Sequence, residues 1–223
     1  MAVQIDFIRS LAYFSGLNQA ELEAIRRLVL EKKAERGEII IFEGEPARRL
    51  YFVAAGVVKV FKTSPDGKEQ ILQLVRPGES FNDVPVTSGG SNLASAGALG
   101  AVTLNMIKKG DMEIILRDYP PVALAAARVL AERVQRLVSL VEDLSFRNVT
   151  GRVAKILLEY AGDRAGEKPR LTQQEMAAMI GTAREMVGRS LKTLEGGGTL
   201  RFDRHRIIIT DREALRRVAG VAS

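Results

Sequence analysis

Residues 39–107 carry short alternating patterns of apolar and polar side chains, separated by turn sequences. The turns combine glycine with proline, serine or acidic residues, at positions 43–46, 64–67, 76–78 and 88–90. The clearest hairpin joins residues 57–62 to residues 70–75 through the Pro-Asp-Gly sequence at 65–67. Many short strands of this kind predict an antiparallel β barrel or jelly roll.

Two other stretches repeat their apolar residues at helical spacing. Residues 17–30 predict a helix with Asn18 as a candidate N-cap. A longer helix is predicted after Pro120 and Pro121, because proline is tolerated in a first turn and no helix breaker follows before Gly151. Its apolar seam alternates spacings of four and three residues: Ala123, Ala127, Leu130, Val134, Leu137, Val141 and Leu144. This heptad pattern favours a two-stranded coiled coil, and hence a homodimer, over packing of the helix on the barrel.

The last third of the chain contains the pattern of a helix-turn-helix. Thr172 and Glu175 have the spacing of a capping box and predict the start of one helix. Gly181 then predicts a tight turn, after which a further helix starts at Thr182 and runs through Leu194. A helix, a glycine turn and a second helix are typical of DNA-binding domains.

Other elements flank the helix-turn-helix. A helix is predicted over residues 149–160, followed by a polar loop at 161–169. The glycines at 196–198 end the last helix. Residues 199–202 and 207–210 then predict a hairpin with a basic tip, which is the pattern of a wing that could touch phosphates.

The helix after Gly181 would have one apolar and one charged face at about 100° per residue. The apolar face holds Val187, Leu191 and Leu194, and the other face holds Arg184, Glu185, Gly188, Arg189 and Lys192. In a major groove, arginine can bond guanine through two atoms and glutamate can accept from cytosine. We also expect Thr172, Gln173 and Thr182 at the DNA. An alternative stays open for Glu185, because Thr182 and Glu185 themselves have capping-box spacing.

Charge and composition favour polyanion binding over metal chemistry. The chain has 223 residues and a net charge of +6, and residues 1–145 hold 18 basic and 18 acidic side chains. The whole excess therefore lies in residues 146–223, as expected for a domain that binds phosphates. Cysteine is absent and His205 is the only histidine, which argues against disulfides, iron–sulfur clusters and most metal sites. No apolar run approaches the roughly 20 residues of a membrane span, so we expect a soluble cytoplasmic protein without a membrane partner.

Taken together, these segments are similar to the catabolite activator/fumarate-nitrate regulator (CRP/FNR) superfamily of transcription regulators, over most of the chain. The resemblance is strongest at residues 149–154, 171–175 and 184–189. It implies that Arg184, Glu185 and Arg189 read a TGTGA-type half-site, and that a dimer binds two half-sites of a pseudo-palindrome in double-stranded DNA. Met186 replaces the threonine of the activator subgroup, which leaves the half-site sequence open.

The resemblance also implies an α+β architecture in three parts. Residues 1–117 would form a sensor jelly roll like that of cyclic-nucleotide-binding domains, and residues 118–146 a dimerisation helix. Residues 147–223 would form the winged helix-turn-helix. The sensor would act through the long helices on the spacing of the two recognition helices, which is about 34 Å for one DNA turn. RNA polymerase is the further partner that we expect of such a regulator.

The sensor sequence departs from the cyclic-nucleotide pattern at the residue that binds the phosphate. The resemblance implies that Glu79 binds ribose hydroxyls. The expected Arg-Ser-Ala stretch reads Ala94-Ser95-Ala96, so a charge-assisted contact worth about 1.5–3 kcal/mol is missing and cyclic AMP is not expected as the effector. The candidate effector residues are Gly78, Glu79, Ser80, Phe81, Asn82, Asn92 and Ser95.

Other functions fit the sequence less well. A cupin-type enzyme would need clustered histidines, and residues 1–204 contain none. We therefore expect no enzymatic activity and no catalytic residues. A haem-based gas sensor would need a methionine, tyrosine, lysine or the N-terminus as ligand. That alternative stays open, as does a ligand-binding module that acts through protein partners, and the cofactor is unknown.

Overall fold

The computed structural model describes residues 3–160, 171–203 and 206–221. The polar loop predicted at 161–169 and the wing residues Arg204 and His205 lie outside the described residues. The helices are α1 (Ile5–Ser10), α2 (Gln19–Arg26), α3 (Asp83–Ser88), α4 (Lys109–Asp118), α5 (Pro120–Phe146), α6 (Val149–Tyr160), α7 (Gln173–Ile180), α8 (Arg184–Gly196) and α9 (Arg212–Ala219). The strands are β1 (Leu30–Ala34), β2 (Ile39–Ile41), β3 (Arg49–Ala55), β4 (Val58–Thr63), β5 (Glu69–Val75), β6 (Ser80–Phe81), β7 (Ser95–Ala98), β8 (Val102–Lys108), β9 (Leu200–Asp203) and β10 (Arg206–Ile209).

The chain divides into two compact units. The first unit, called the sensor unit below, consists of the described residues within 1–62 and 72–137. The second unit consists of those within 63–71 and 138–223. Helix α5 therefore contributes residues to both units.

Two four-stranded sheets form the jelly roll that the sequence predicts. One has the strand order β1-β8-β3-β6 and the other β2-β7-β4-β5. The predicted hairpin corresponds to the neighbouring strands β4 and β5. Strand β3 is buried on both faces: Tyr51 and Val53 lie in the core between the sheets, whereas Leu50 and Phe52 pack in the core that includes the helices. The core between the sheets includes Val53, Val58, Val75, Phe81, Ala96 and Leu104.

The helix predicted over residues 17–30 is shorter than the sequence suggested. Asn18 caps α2 as expected, and its side chain forms a capping box with Glu21. The helix nevertheless ends at Arg26, and Leu30 starts strand β1, opposite Met106 in β8. The prediction of helix to residue 30 was wrong because the gain from pairing with a central strand overrides a short helical pattern.

Helix α5 confirms the long helix that the sequence predicts after Pro120. Its first turns pack on the sensor unit, where Val122 and Ala126 are buried. Further along, the seam residues are exposed in the single chain, and Val134 and Val141 have 60% and 62% of their surface exposed. An apolar seam left uncovered over several turns is the pattern expected of a helix that pairs with another helix.

The second unit confirms the predicted helices and wing strands. Helix α6 has the expected bounds, and α7, α8 and α9 surround it over one apolar core. Strands β9 and β10 pair in antiparallel register, with Ile207 opposite Phe202. The core residues of the recognition region are Val153, Leu157, Ala177, Val187, Leu191, Leu194 and Leu215.

Candidate DNA interface and effector cavity

The turn between α7 and α8 is fixed by local chemistry. The Thr172 hydroxyl accepts from the Glu175 N–H at 3.1 Å, and the Glu175 carboxylate accepts from the Thr172 N–H at 2.6 Å, which confirms the predicted capping box. Gly181 ends α7 with φ +63°, in the left-handed region that glycine adopts without strain. The turn therefore places α8 directly after α7 in the helix-turn-helix arrangement.

Helix α8 begins at Arg184, two residues later than predicted. Its N-cap is Ala183, and no side chain caps it. The alternative assignment of Thr182 and Glu185 as a capping box is therefore wrong. Thr182 lies in the turn before α8, where its N–H donates to Ala177 O. Among the described residues, the Glu185 carboxylate has no hydrogen bond or ion pair. Glu185 is thus left available for an outside donor.

Helix α8 separates its faces as the sequence predicts. Val187, Leu191 and Leu194 are buried in the core. The opposite face exposes Arg184, Glu185, Arg189 and Lys192. Of the other predicted DNA residues, Thr172 is exposed and Gln173 and Thr182 are half-buried.

Gln173 lies beside the exposed face of α8. A Cβ added to Gly188 would lie 3.6 Å from Gln173 Oε1, so the first residue of α7 flanks the middle of α8. The structure therefore brings Gln173 together with the charged face of α8.

A cavity of about 170 Å³ lies within the sensor unit, between the jelly roll and α5. Most of its lining is apolar and includes Ile41, Val60, Leu72, Phe81, Ala94 and Leu137. Its polar lining residues are Gln73, Asn82, Asp83, Arg133 and Arg136. The cavity thus combines apolar strand residues with two arginines from one helix.

Asp83 is the centre of a buried polar network at this cavity. Its carboxylate accepts from the Tyr13 hydroxyl, and from the Ser80 hydroxyl at 2.7 Å. Arg133 Nη2 lies 2.5 Å from the other carboxylate oxygen, as an ion pair without hydrogen-bond geometry. Burial, followed by the neighbouring Asp83 carboxylate, raises the pKa of the Tyr13 phenol far above its ordinary value. Tyr13 therefore stays a neutral donor to Asp83.

Backbone geometry places Asp83 in the network. Asn82 has φ +67°, which is an uncommon conformation for a residue other than glycine. Its side-chain amide donates to Arg49 O at 3.1 Å and to Asn92 Oδ1 at 3.0 Å. These bonds hold the turn between β6 and α3, so that the Asp83 side chain enters the sensor unit.

The residues predicted for the effector site do not share one cavity. Phe81 lines the cavity described above, whereas Gly78, Glu79 and Ser80 line a neighbouring depression. Ser80 and Phe81 separate because successive side chains of a strand point to opposite faces. Two further candidates lie elsewhere. Asn92 lines a polar depression of the barrel, and the Ser95 hydroxyl accepts a hydrogen bond from the Glu43 N–H.

Glu79 is engaged by other groups of the sensor unit. Its carboxylate accepts from the Arg76 N–H at 2.9 Å and lies 3.3 Å from Arg136 Nη1. It lies outside the lining of the apolar cavity, where Asp83 is the buried carboxylate.

Comparison with known proteins supports both parts of the chain. Residues 31–119 match the family model of the cyclic nucleotide-binding domain, and residues 151–218 match that of the Crp-like helix-turn-helix domain. A CRP-like cAMP-activated global transcriptional regulator of Mycobacterium tuberculosis is 32% identical over 213 residues, which are 92% of this chain and 95% of that protein. The chain belongs to the CRP/FNR family of transcription regulators.

Other members of the CRP/FNR family extend this similarity. The cyclic AMP receptor protein of Thermus thermophilus is 30% identical over 206 residues, covering 92% of this chain and 95% of that protein. The solved structure of FixK2 from Bradyrhizobium japonicum has a TM-score of 0.77 and 26% identity, and covers 87% of this chain and 99% of that one. The family consists of regulators rather than enzymes. In the described ranges, no helix is both long and apolar enough to cross a membrane.

The three charged residues that line the cavity of this CRP/FNR protein were not predicted from the sequence: Asp83, Arg133 and Arg136. The spacing of the seam residues in α5 predicts dimerisation and carries no signal for the residues beside the seam. A helical projection would have shown that Arg133 and Arg136 follow each other at the i, i+3 spacing that shares one face. Asp83 gave no signal, because its burial depends on the conformation of Asn82.

Proposed function

We propose that this chain is a dimeric transcription regulator that reads a pseudo-palindromic DNA site with α8 and whose sensor unit does not respond to cyclic AMP. The main support is the exposed face of α8. Arg184, Glu185 and Arg189 lie there without a carboxylate or amine partner among the described residues. These three charged side chains are thus available to bind the bases and phosphates of DNA.

The three exposed side chains suit direct readout of bases. Arginine can bond guanine O6 and N7 together, and glutamate can accept from cytosine N4. Lys192, one helical turn beyond Gly188, suits a phosphate, as do the capped start of α7 at Thr172 and Gln173 and the turn residue Thr182. Base contacts would supply specificity, whereas the others would supply affinity at any sequence.

Dimerisation is proposed through the seam from Ala123 to Leu144. Exposed apolar positions at heptad spacing gain most when they pack against the same seam of a second copy. A dimer would present two copies of α8, as two half-sites of a pseudo-palindrome require. Family membership supports a cytoplasmic location and RNA polymerase as a protein partner at promoters.

Cyclic AMP is not the proposed effector, although two of the relatives are named for it. Ala94 lines the cavity at the position where the cyclic-nucleotide pattern has arginine. The cavity's arginines are no substitute, because Arg133 faces Asp83 and Arg136 faces Glu79. A cyclic phosphate would therefore have to compete with carboxylates of the protein for each cation.

The decisive experiment compares Arg189→Ala with Arg201→Ala, an exposed arginine on β9, by fluorescence anisotropy at fixed salt. The DNA is a duplex with two TGTGA-type half-sites and a scrambled duplex of the same composition. We expect Arg189→Ala to weaken specific binding by about 1–3 kcal/mol while binding to scrambled DNA stays nearly unchanged. Arg201→Ala should keep the ratio between the two duplexes.

Equal losses on both duplexes for Arg189→Ala would refute base readout by this residue. Added cyclic AMP should leave the wild-type affinity for either duplex unchanged. Binding that requires cyclic AMP would refute the proposed sensor chemistry and leave DNA recognition intact.

A further inference from the structure

We propose that the cavity between the jelly roll and α5 binds one small, uncharged, ring-sized apolar molecule as the effector. This inference rests on the proposed role of the sensor unit and specifies its ligand. Three properties of the cavity carry it: its size, its lining and the state of its charges.

The size of the cavity suits a single ring. Its volume is about 170 Å³, and a dry apolar cavity of about 150 Å³ in another protein binds benzene. The cavity is partly open to solvent, and a nucleotide, which joins a double ring to a sugar and a phosphate, would extend beyond this volume. A single ring has about the size of the cavity.

The lining of the cavity offers contacts to an apolar ring. Val60, Leu72 and Phe81 contribute side chains from three different strands, and Leu137 contributes one from α5. A ring buried among these groups would gain the transfer free energy of its apolar surface. Ala94 leaves space in the lining where a longer side chain would fill the cavity.

The charges that line the cavity are already neutralised. Asp83 is fully buried and holds Arg133, whose side chain is 18% exposed. Arg136 lies 3.3 Å from Glu79. The Arg136–Glu79 pair is largely exposed, whereas Asp83 is fully buried. An anionic ligand that draws Arg133 away would leave the Asp83 carboxylate without its cation, which is costly in a buried site. An uncharged ligand can enter with both pairs intact.

The test uses two probes of the same ring and different charge, fluorobenzene and 4-fluorobenzoate. Binding of each to the purified full chain is followed by broadening of its fluorine resonance. We expect saturable binding of fluorobenzene, and binding of 4-fluorobenzoate at least about tenfold weaker. Equal or tighter binding of the benzoate would overturn the inference, as would no saturable binding of fluorobenzene.

Two variants locate the probe. Ala94→Phe should fill the cavity and weaken fluorobenzene binding by at least about tenfold. Val84→Phe at the cavity lip, where Val84 is 39% exposed, should also weaken it and carries the test if the first variant fails to fold. Ala12→Phe is the matched control, because Ala12 lines the neighbouring depression and not this cavity. Unchanged binding in a folded cavity variant, or equal loss in Ala12→Phe, would overturn the inference.

Anisotropy of the same samples on the two duplexes separates this inference from the proposed function. Normal discrimination of DNA without fluorobenzene binding would overturn the ligand assignment alone. Loss of discrimination between the two duplexes in the wild type would overturn the proposed function instead.

Discussion

Replacement of Asp83 by asparagine tests whether the buried network stabilises the sensor unit through its charge. Asparagine keeps the shape of the side chain and an acceptor for Tyr13 or Ser80, but removes the negative charge beside Arg133. Breaking a buried ion pair costs about 3–5 kcal/mol, because the remaining charge is left without a partner. Arg133 keeps partial access to water, with 18% of its side chain exposed, so we expect a loss of about 3 kcal/mol.

The assay is urea unfolding of the full chain followed by tyrosine fluorescence. The chain has no tryptophan, and Tyr13, Tyr51 and Tyr119 of its four tyrosines lie in the sensor unit. Glu113→Gln is the control, since the one ion pair of Glu113 within the described ranges is a solvent-accessible contact with Lys109 at 3.8 Å. Its replacement should cost less than about 0.5 kcal/mol.

A double-mutant cycle measures the interaction itself. Arg133→Met alone leaves the carboxylate of Asp83 buried with Tyr13 and Ser80 as its remaining donors, and should also destabilise the sensor unit. The double variant Asp83→Asn with Arg133→Met should lose at least about 2 kcal/mol less than the sum of the single losses, because neither charge remains unpaired. Additive losses, or an Asp83→Asn loss no larger than that of Glu113→Gln, would refute the charge argument.

Three further predictions concern the interface, the seam and the network. Lys192→Ala should weaken binding to both duplexes together and reduce the slope of log affinity against log salt by about one unit, and an unchanged slope would count against a phosphate contact. Val134→Asp should convert the dimer to monomer in sedimentation velocity, because it places a charge in the seam. Gln135→Asp, one position off the seam, should keep the dimer, and equal dissociation in both variants would contradict the seam. For Tyr13, the raised pKa means that the folded chain keeps a proton which the unfolded chain loses near pH 10, so stability should fall as pH rises above about 10. Tyr13→Phe should lessen that fall in urea unfolding at pH 9 and pH 11, and an unchanged fall would disprove the assignment.

The helix-turn-helix could be predicted closely from the sequence because its signals are local. Thr172 and Glu175 are three residues apart, glycine at position 181 favours the left-handed turn, and the faces of α8 follow from helical spacing. The start of α8 was wrong by two residues, since Thr182 can cap a helix in principle but is used in the turn. Helix ends of this kind are decided by tertiary packing as well as by local sequence.

The sensor cavity could not be predicted in the same way because its residues are distant in the chain. Asp83 and Arg133 are fifty residues apart, and only the folded barrel and α5 bring them together. Glu79 was predicted as a ligand residue because Pro77-Gly78-Glu79 resembles the cyclic-nucleotide-binding pattern. Sequence spacing does not show that β6 turns Ser80 and Phe81 to opposite faces, nor that Asn82 adopts a left-handed conformation.

Arginine is used in two opposite ways in this protein, and the difference explains the ligands that we propose. In the sensor unit, Arg133 and Arg136 each face a carboxylate, so their charge is balanced within the protein. On α8, Arg184 and Arg189 have no acidic partner in the described part of the chain. An exposed unpaired guanidinium favours a polyanion, whereas a neutralised cavity favours an uncharged molecule. The pairing of each arginine, rather than the number of arginines, therefore separates the DNA-binding face from the effector site.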